Sequence, residues 1–161
     1  MRRYFSHFPW VQYPKSHGKV GSRPSRSAKQ RFKNKLKKLT SRKRAGTWEQ
    51  IITDINRVTV GWINYYGIAR MKTFIKDIEG WLNHRLRQII WKRWKKVKTK
   101  FKMLRKYGID HEDAMKLANS RKGYWRITRS EILQRALTKK RLIKWGLKEI
   151  STLYKSRYSK G

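Results

Sequence analysis

All three prolines, Pro9, Pro14 and Pro24, stand in the first 24 residues of the chain, together with Gly18 and Gly21. Proline fixes φ and removes a backbone donor, so this segment is expected to be extended or loop-like, with a hairpin over residues 4–22 as its one strand pattern. The chain beyond is free of the strongest helix breaker. An extended connector over 1–24 and a helical domain over 25–158 follow, with the boundary near Ser25.

Apolar periodicity supports that division. Ala28, Phe32, Leu36 and Leu39 form a short helical stripe, followed by the basic turn SRKRAG at 41–46. Thr47 and Gln50 have capping-box spacing, and Ile51, Ile55, Val58 and Trp62 continue a second helix to Gly67. A third helix is expected from Thr73, carrying Phe74, Ile78 and Trp81 inward. It runs into Leu82, Leu86, Ile90, Trp94, Val97, Phe101 and Leu104, with a break at Thr99 and a stop at Gly108. Asp110 and Asp113 suggest a cap before a short helix to Asn119. SRKGYWR reads as a loop. Thr128 and Glu131 repeat the capping spacing, Thr138 to Trp145 makes one more helix closed by Gly146, and LKEISTLYKSRYSKG is expected to fray. With no alternating pattern elsewhere, the fold class is all-α: a multi-helix domain with a short extended N-terminal segment.

The charge is as constraining as the periodicity. Forty-four Lys and Arg against nine Asp and Glu leave a formal charge of +35, and no acid lies between Glu79 and Asp110. Across that gap Arg85, Arg87, Lys92, Arg93, Lys95, Lys96, Lys98, Lys100, Lys102, Arg105 and Lys106 surround the apolar stripe. A merely solvated face mixes signs, so a polyanion is the expected partner. No apolar run approaches the roughly 20 residues of a spanning helix, so no membrane partner is expected. The absence of cysteine excludes disulfides, Cys-based zinc sites and thiol catalysis, and fits a reducing compartment.

Catalytic constellations are lacking. Two-metal chemistry needs converging carboxylates. The one tight group, Asp110, Glu112 and Asp113, is better explained as a helix start. His7, His17, His84 and His111 lack ligand spacing, and GKVG at 18–21 lacks the second half of a phosphate loop. No catalytic residue, metal or cofactor is expected. What remains is binding: cations neutralise phosphates and flat rings stack on unpaired bases. Trp62, Trp81 and Trp94 lie on apolar stripes and are expected in the core. Tyr65 or Tyr66 must point off its stripe, and Trp125 is the leading base-stacking candidate. A distributed basic surface with no compact recognition helix favours folded RNA over DNA.

Five spaced stretches carry a more specific signal: RPSRSAKQRFKNKLKKLTSR (23–42), GWINYYG (61–67), Trp81 through RLRQIIWKRWKK (85–96), LRKYGI (104–109) and RKGYWR (121–126). Together they resemble the maturase-specific region of group II intron-encoded proteins, also called domain X or the thumb, over about residues 13–158. The resemblance implies a helical thumb that binds group II intron RNA and assists its folding and splicing, the chemistry belonging to the RNA. It implies RNA-facing roles for Arg23, Arg26, Arg42, Arg44, Arg85, Arg87, Lys92, Lys95, Lys96, Arg121, Lys122 and Arg126. Lys29, Lys98, Tyr65, Tyr66 and Trp125 complete the candidate RNA-binding set.

In that family the region follows a reverse-transcriptase palm. The palm motif Tyr-x-Asp-Asp has no match here, so no enzymatic activity of the chain's own is expected, and residues 1–22 read as a remnant of the palm-to-thumb connection. The expected partners are group II intron RNA, a separately encoded fingers–palm fragment for which the chain would serve as thumb in trans, and target DNA within a ribonucleoprotein. A generic structural RNA-binding protein is the plainer alternative. The location implied is the bacterial cytoplasm, or an organelle in a eukaryotic host.

Overall fold

The computed structural model describes residues 9–15 and 20–160. β1 (Trp10–Pro14) and β2 (Val20–Pro24) pair antiparallel from Trp10↔Pro24 to Pro14↔Val20. This is the expected hairpin, reaching two residues further than anticipated; its portions at residues 4–8 and 16–19 lie outside the described residues. Everything after it is helical, as the proline distribution predicts.

Local capping chemistry sets most helix starts. The Ser25 hydroxyl accepts from Ala28 N at 3.1 Å and opens α1 (Arg26–Leu39), whose Ala28, Phe32 and Leu36 are buried. Thr47 and Gln50 form a reciprocal capping box at the start of α2 (Trp48–Tyr66). Gly67 follows α2, and a Cβ there would lie 2.4 Å from the Ile63 carbonyl oxygen and 2.6 Å from the Arg157 side chain, so the position leaves no room for a larger residue. Asp110 accepts from Asp113 N to open α5 (His111–Ala118).

The third helix departs from expectation. α3 (Lys72–Arg93) does not continue to Thr99 but stops at Trp94, and α4 (Val97–Lys106) begins after Lys95 has turned into the left-handed region at φ 34°. Thr99 lies inside α4 and caps nothing. The apolar spacing continues in step across the turn, so it carries no sign of the break. One consequence is that Val97 is left 45% exposed while Leu104 packs in the core. Gly108, at φ 88°, closes α4 as expected.

Beyond α5 the chain makes short helices. α6 (Tyr124–Thr128) forms inside the stretch read as a loop, starting after Gly123. α7 (Glu131–Ala136) is capped by Ser130, whose hydroxyl accepts from Leu133 N at 3.3 Å, and not by Thr128, which is fully buried at the end of α6. The helix expected from Thr138 to Trp145 is α8 (Lys139–Lys144), with Thr138 as its cap and Gly146, at φ 105°, following it.

The tail expected to fray is α9 (Ile150–Lys160), packed against α2 and α3. Buried Tyr154 donates to the Ala69 carbonyl at 2.8 Å and accepts from Met71 N at 3.0 Å. Glu79, buried on α3, accepts from Ser151 N at 3.1 Å, Ser151 Oγ at 2.7 Å and Lys139 Nζ at 2.9 Å. A carboxylate at that depth is held by its partners, and here those partners are the start of α9 and of α8.

Candidate nucleic-acid interface

The basic turn after α1 is folded onto α3 by side chains that donate to its carbonyls. Arg85 Nη2 donates to Lys37 O at 3.0 Å and Thr40 O at 3.2 Å, and its Nε to Thr40 Oγ1 at 3.0 Å. A guanidinium there satisfies the open C-terminal carbonyls of α1 and meets the negative end of its dipole. Lys92 Nζ donates to Arg42 O at 2.8 Å and Arg93 Nη2 to Gly46 O at 2.7 Å. Arg44 turns inward, pairing with Asp54 and donating to Leu39 O.

Around this joint cations and flat rings interleave. Lys33 Nζ and the Arg85 guanidinium lie 5.1 and 5.6 Å from the centroid of the Trp81 ring. The Arg42 guanidinium lies 4.5 Å from the ring of Tyr124. Trp125, 47% exposed, has His84 5.7 Å away ring to ring and Arg129 at 5.9 Å. α1, the turn at 40–47, α3 and α6 therefore present one surface of Trp81, Tyr124 and Trp125 among cations. Lys96 just before α4, and Lys98 and Lys102 on it, are exposed, with Lys100 Nζ 4.7 Å from the Trp91 ring. Among the described residues acids pair only with Arg44, Arg57, Arg135 and Lys139, so this surface keeps nearly all its charge.

Burial sets four members of the candidate set apart from the exposed surface. Arg87 is 8% exposed and its Nε donates to the Leu137 carbonyl at 2.8 Å, so it serves the interior where an RNA-facing role was expected. Tyr66 is buried, leaving Tyr65, 55% exposed, as the ring that points off the α2 stripe. Arg44 and Arg85 are half-buried and spend their donors within the fold. Burial, reinforced by the Arg42 charge, pushes the Arg85 pKa below its ordinary value. Of the three expected core tryptophans, Trp94 is buried, whereas Trp62 and Trp81 are half-buried.

Arg42, Lys92, Lys95, Lys96, Lys98, Arg121, Lys122 and Arg126 are exposed. Arg23, Arg26 and Lys29 lie at the other end of α1, about 20 Å away along its axis. There Arg23 and Lys29 line a cavity of about 550 Å³ with Tyr13, Phe74, Arg70 and Lys72. Burial and then the Arg23 charge pull the Lys29 pKa down. Arg70, Lys72, Lys33 and Arg129 lie beside these candidates and were not among the residues the sequence singled out. Their signal was proximity in sequence to the α2–α3 turn, the α1 stripe and RKGYWR. His111, beside the acids at the start of α5, rests edge-on to Phe101 at 5.2 Å; among the described residues no three His, Asp or Glu side chains converge.

Residues 29–108, about half the chain and covering most of α1 through the end of α4, match the family model of the group II intron, maturase-specific domain. The chain carries a group II intron maturase-specific domain. The match spans the folded turn at 40–47, Trp81, Arg85 and the basic helix α4, while α6 with Trp125 lies beyond it. The match gives the chain a group II intron maturase-related role. No curated protein matches the chain. Among the described residues no helix is long and apolar enough to cross a membrane.

Proposed function

We propose that the chain is an RNA-binding maturase module that engages group II intron RNA and assists its folding and splicing without chemistry of its own. The observation that carries this reading is the surface joining α1, the 40–47 turn, α3 and α6. Unpaired cations there neutralise phosphates, and the exposed Trp125 ring stacks on an unpaired base. Arg42, Lys92, Lys95, Lys96, Lys98, Arg121, Lys122 and Arg126 make the phosphate contacts. Arg23, Arg26 and Lys29 extend the path to the far end of α1.

The test is salt-dependent binding of the intact chain to group II intron RNA. The log of the binding constant should fall against log salt with a slope of magnitude about 4 to 8, and Trp125→Ala should cost more on loop RNA than on duplex. Salt-insensitive affinity overturns the reading.

A second reading, a thumb acting in trans with a separately encoded fingers–palm polypeptide, is favoured by one observation. Val11 of the hairpin, Ile68 of the α2–α3 turn and Tyr158 of α9 are exposed apolar or aromatic residues, and Ile68 and Tyr158 line one cavity with Trp10 and Tyr13. Co-purification of the two polypeptides, lost on Ile68→Asp, tests it.

A further inference from the structure

The outer face of α2 has a gap. Arg57, Gly61 and Tyr65 stand four residues apart on one helical row, spanning about 12 Å, with a flat cation at one end, a flat ring at the other and no side chain between. A Cβ at Gly61 would meet no atom within 4 Å, so nothing inside the fold requires glycine at this mid-helix position. Glycine in a helix interior costs about 1 kcal/mol relative to alanine, and what it provides here is open space. The glycine alone does not decide the matter, since Gly80 of α3 is equally open; the flanking pair does.

The gap opens into a cavity of about 480 Å³ between α1 and α2. Its floor is the Phe32–Trp62 stack, with ring centroids 4.4 Å apart and planes at 9°. Its rim carries Arg31, Lys35 and Arg57. Trp10 and Tyr66 brace the Tyr65 ring from within, at 5.7 and 4.6 Å, while more than half of Tyr65 stays exposed. Arg57 lies 3.8 Å from Asp54 but its side chain is 76% exposed, so it is free to swing over the gap.

We propose that this slot holds a single unpaired nucleobase of bound RNA, stacked on Tyr65 over Gly61, with the flanking phosphates on Arg31, Lys35 and Arg57. The charge selects a polyanion, and the width, one side chain missing between two flat groups, selects a planar ring. The inference deepens the RNA-binding reading and rests on it, but uses a different face from Trp125.

The test uses the full chain and a short single-stranded RNA bearing at its centre a fluorescent adenine analogue that is quenched on stacking. A blunt RNA duplex is the reference ligand. Quenching is expected with the native chain. Gly61→Leu, which fills the slot without changing charge, and Tyr65→Ala should each abolish it and weaken single-strand affinity about tenfold, with duplex affinity unchanged. Gly61→Leu removes a helix-interior glycine, so its thermal midpoint should not fall, which separates loss of the slot from loss of fold. Quenching retained in Gly61→Leu, or lost only in Trp125→Ala, overturns the slot while leaving the RNA reading intact. A Gly61→Leu change that instead abolishes a dimer seen by sedimentation assigns the groove to a second copy and likewise overturns it. Failure of the native chain to bind either RNA overturns both.

Discussion

The Arg42 guanidinium lies 4.5 Å from the centroid of the Tyr124 ring, joining the basic turn after α1 to the start of α6 across more than eighty residues of sequence. The turn comes from the matched maturase-specific segment and α6 from beyond it, so this contact ties the two into one surface. Cation–π contacts at partly exposed sites contribute about 0.5–1 kcal/mol, and the ring adds packing. Tyr124→Ala should therefore lower stability by about 1–2 kcal/mol, and Tyr124→Phe by much less. Urea denaturation of the two variants checks this.

Arg87 and Lys92 stand on one helix, carry one charge each and are expected to behave oppositely. Arg87→Ala leaves the Leu137 carbonyl without its donor and empties buried space, which should cost about 2–3 kcal/mol of stability. Among the molecules that stay folded, its RNA affinity should be native-like. Lys92→Ala should lower the magnitude of the salt slope by about one and, losing an exposed hydrogen bond to the Arg42 carbonyl, should cost no more than about 1 kcal/mol of stability. Paired denaturation and binding titrations separate the two.

Glu79 holds the start of α9 through Ser151 and the start of α8 through Lys139. Glu79→Ala removes a buried acceptor of three hydrogen bonds and should cost about 2–3 kcal/mol. Amide exchange should report α9 opening before α2 and α3. Uniform exchange across all three helices would contradict the clamp.

Burial, helped by the Arg87 charge, opposed by the Thr128 backbone and helped again by Arg129, holds the His84 imidazole below its ordinary pKa. A base with a depressed folded pKa binds its proton more readily when unfolded. Unfolding therefore takes up a proton once the pH drops below the ordinary histidine value of about 6.5. Stability from this group is complete above that value and declines as pH falls through it toward the lower folded pKa. His84→Gln should flatten that decline in urea midpoints measured at neutral and mildly acidic pH. A native-like decline in the variant would contradict the assignment.

What was legible in the sequence was local chemistry. Caps at Thr47 and Asp110, and stops at Gly108 and Gly146, rest on a side chain bonding three residues away or on a positive φ, and each is where it was expected, while Ser25 and Thr138 cap helices whose starts were expected there without a cap being named. The misses depend on partners distant in sequence. Arg87 reads as one more surface cation until the α7–α8 turn brings the Leu137 carbonyl to it. α9 has too few apolar residues to announce a helix, and is held by Glu79 on α3 and the Ala69 carbonyl after α2. Lys95 breaks α3 from α4 without disturbing the apolar spacing. The slot at Gly61 was likewise invisible, because a glycine inside GWINYYG reads as a motif position until Arg57 and Tyr65 are placed on its row.

The central claim is that this surface recognises group II intron RNA and not merely any polyanion. The most direct measurement is equilibrium binding of the intact chain to a group II intron RNA and to an unrelated structured RNA of equal length, at near-physiological salt, where generic phosphate attraction is weakened. The account predicts a preference of about tenfold or more for the intron, a difference of roughly 1.4 kcal/mol. Equal affinity for the two RNAs would contradict it.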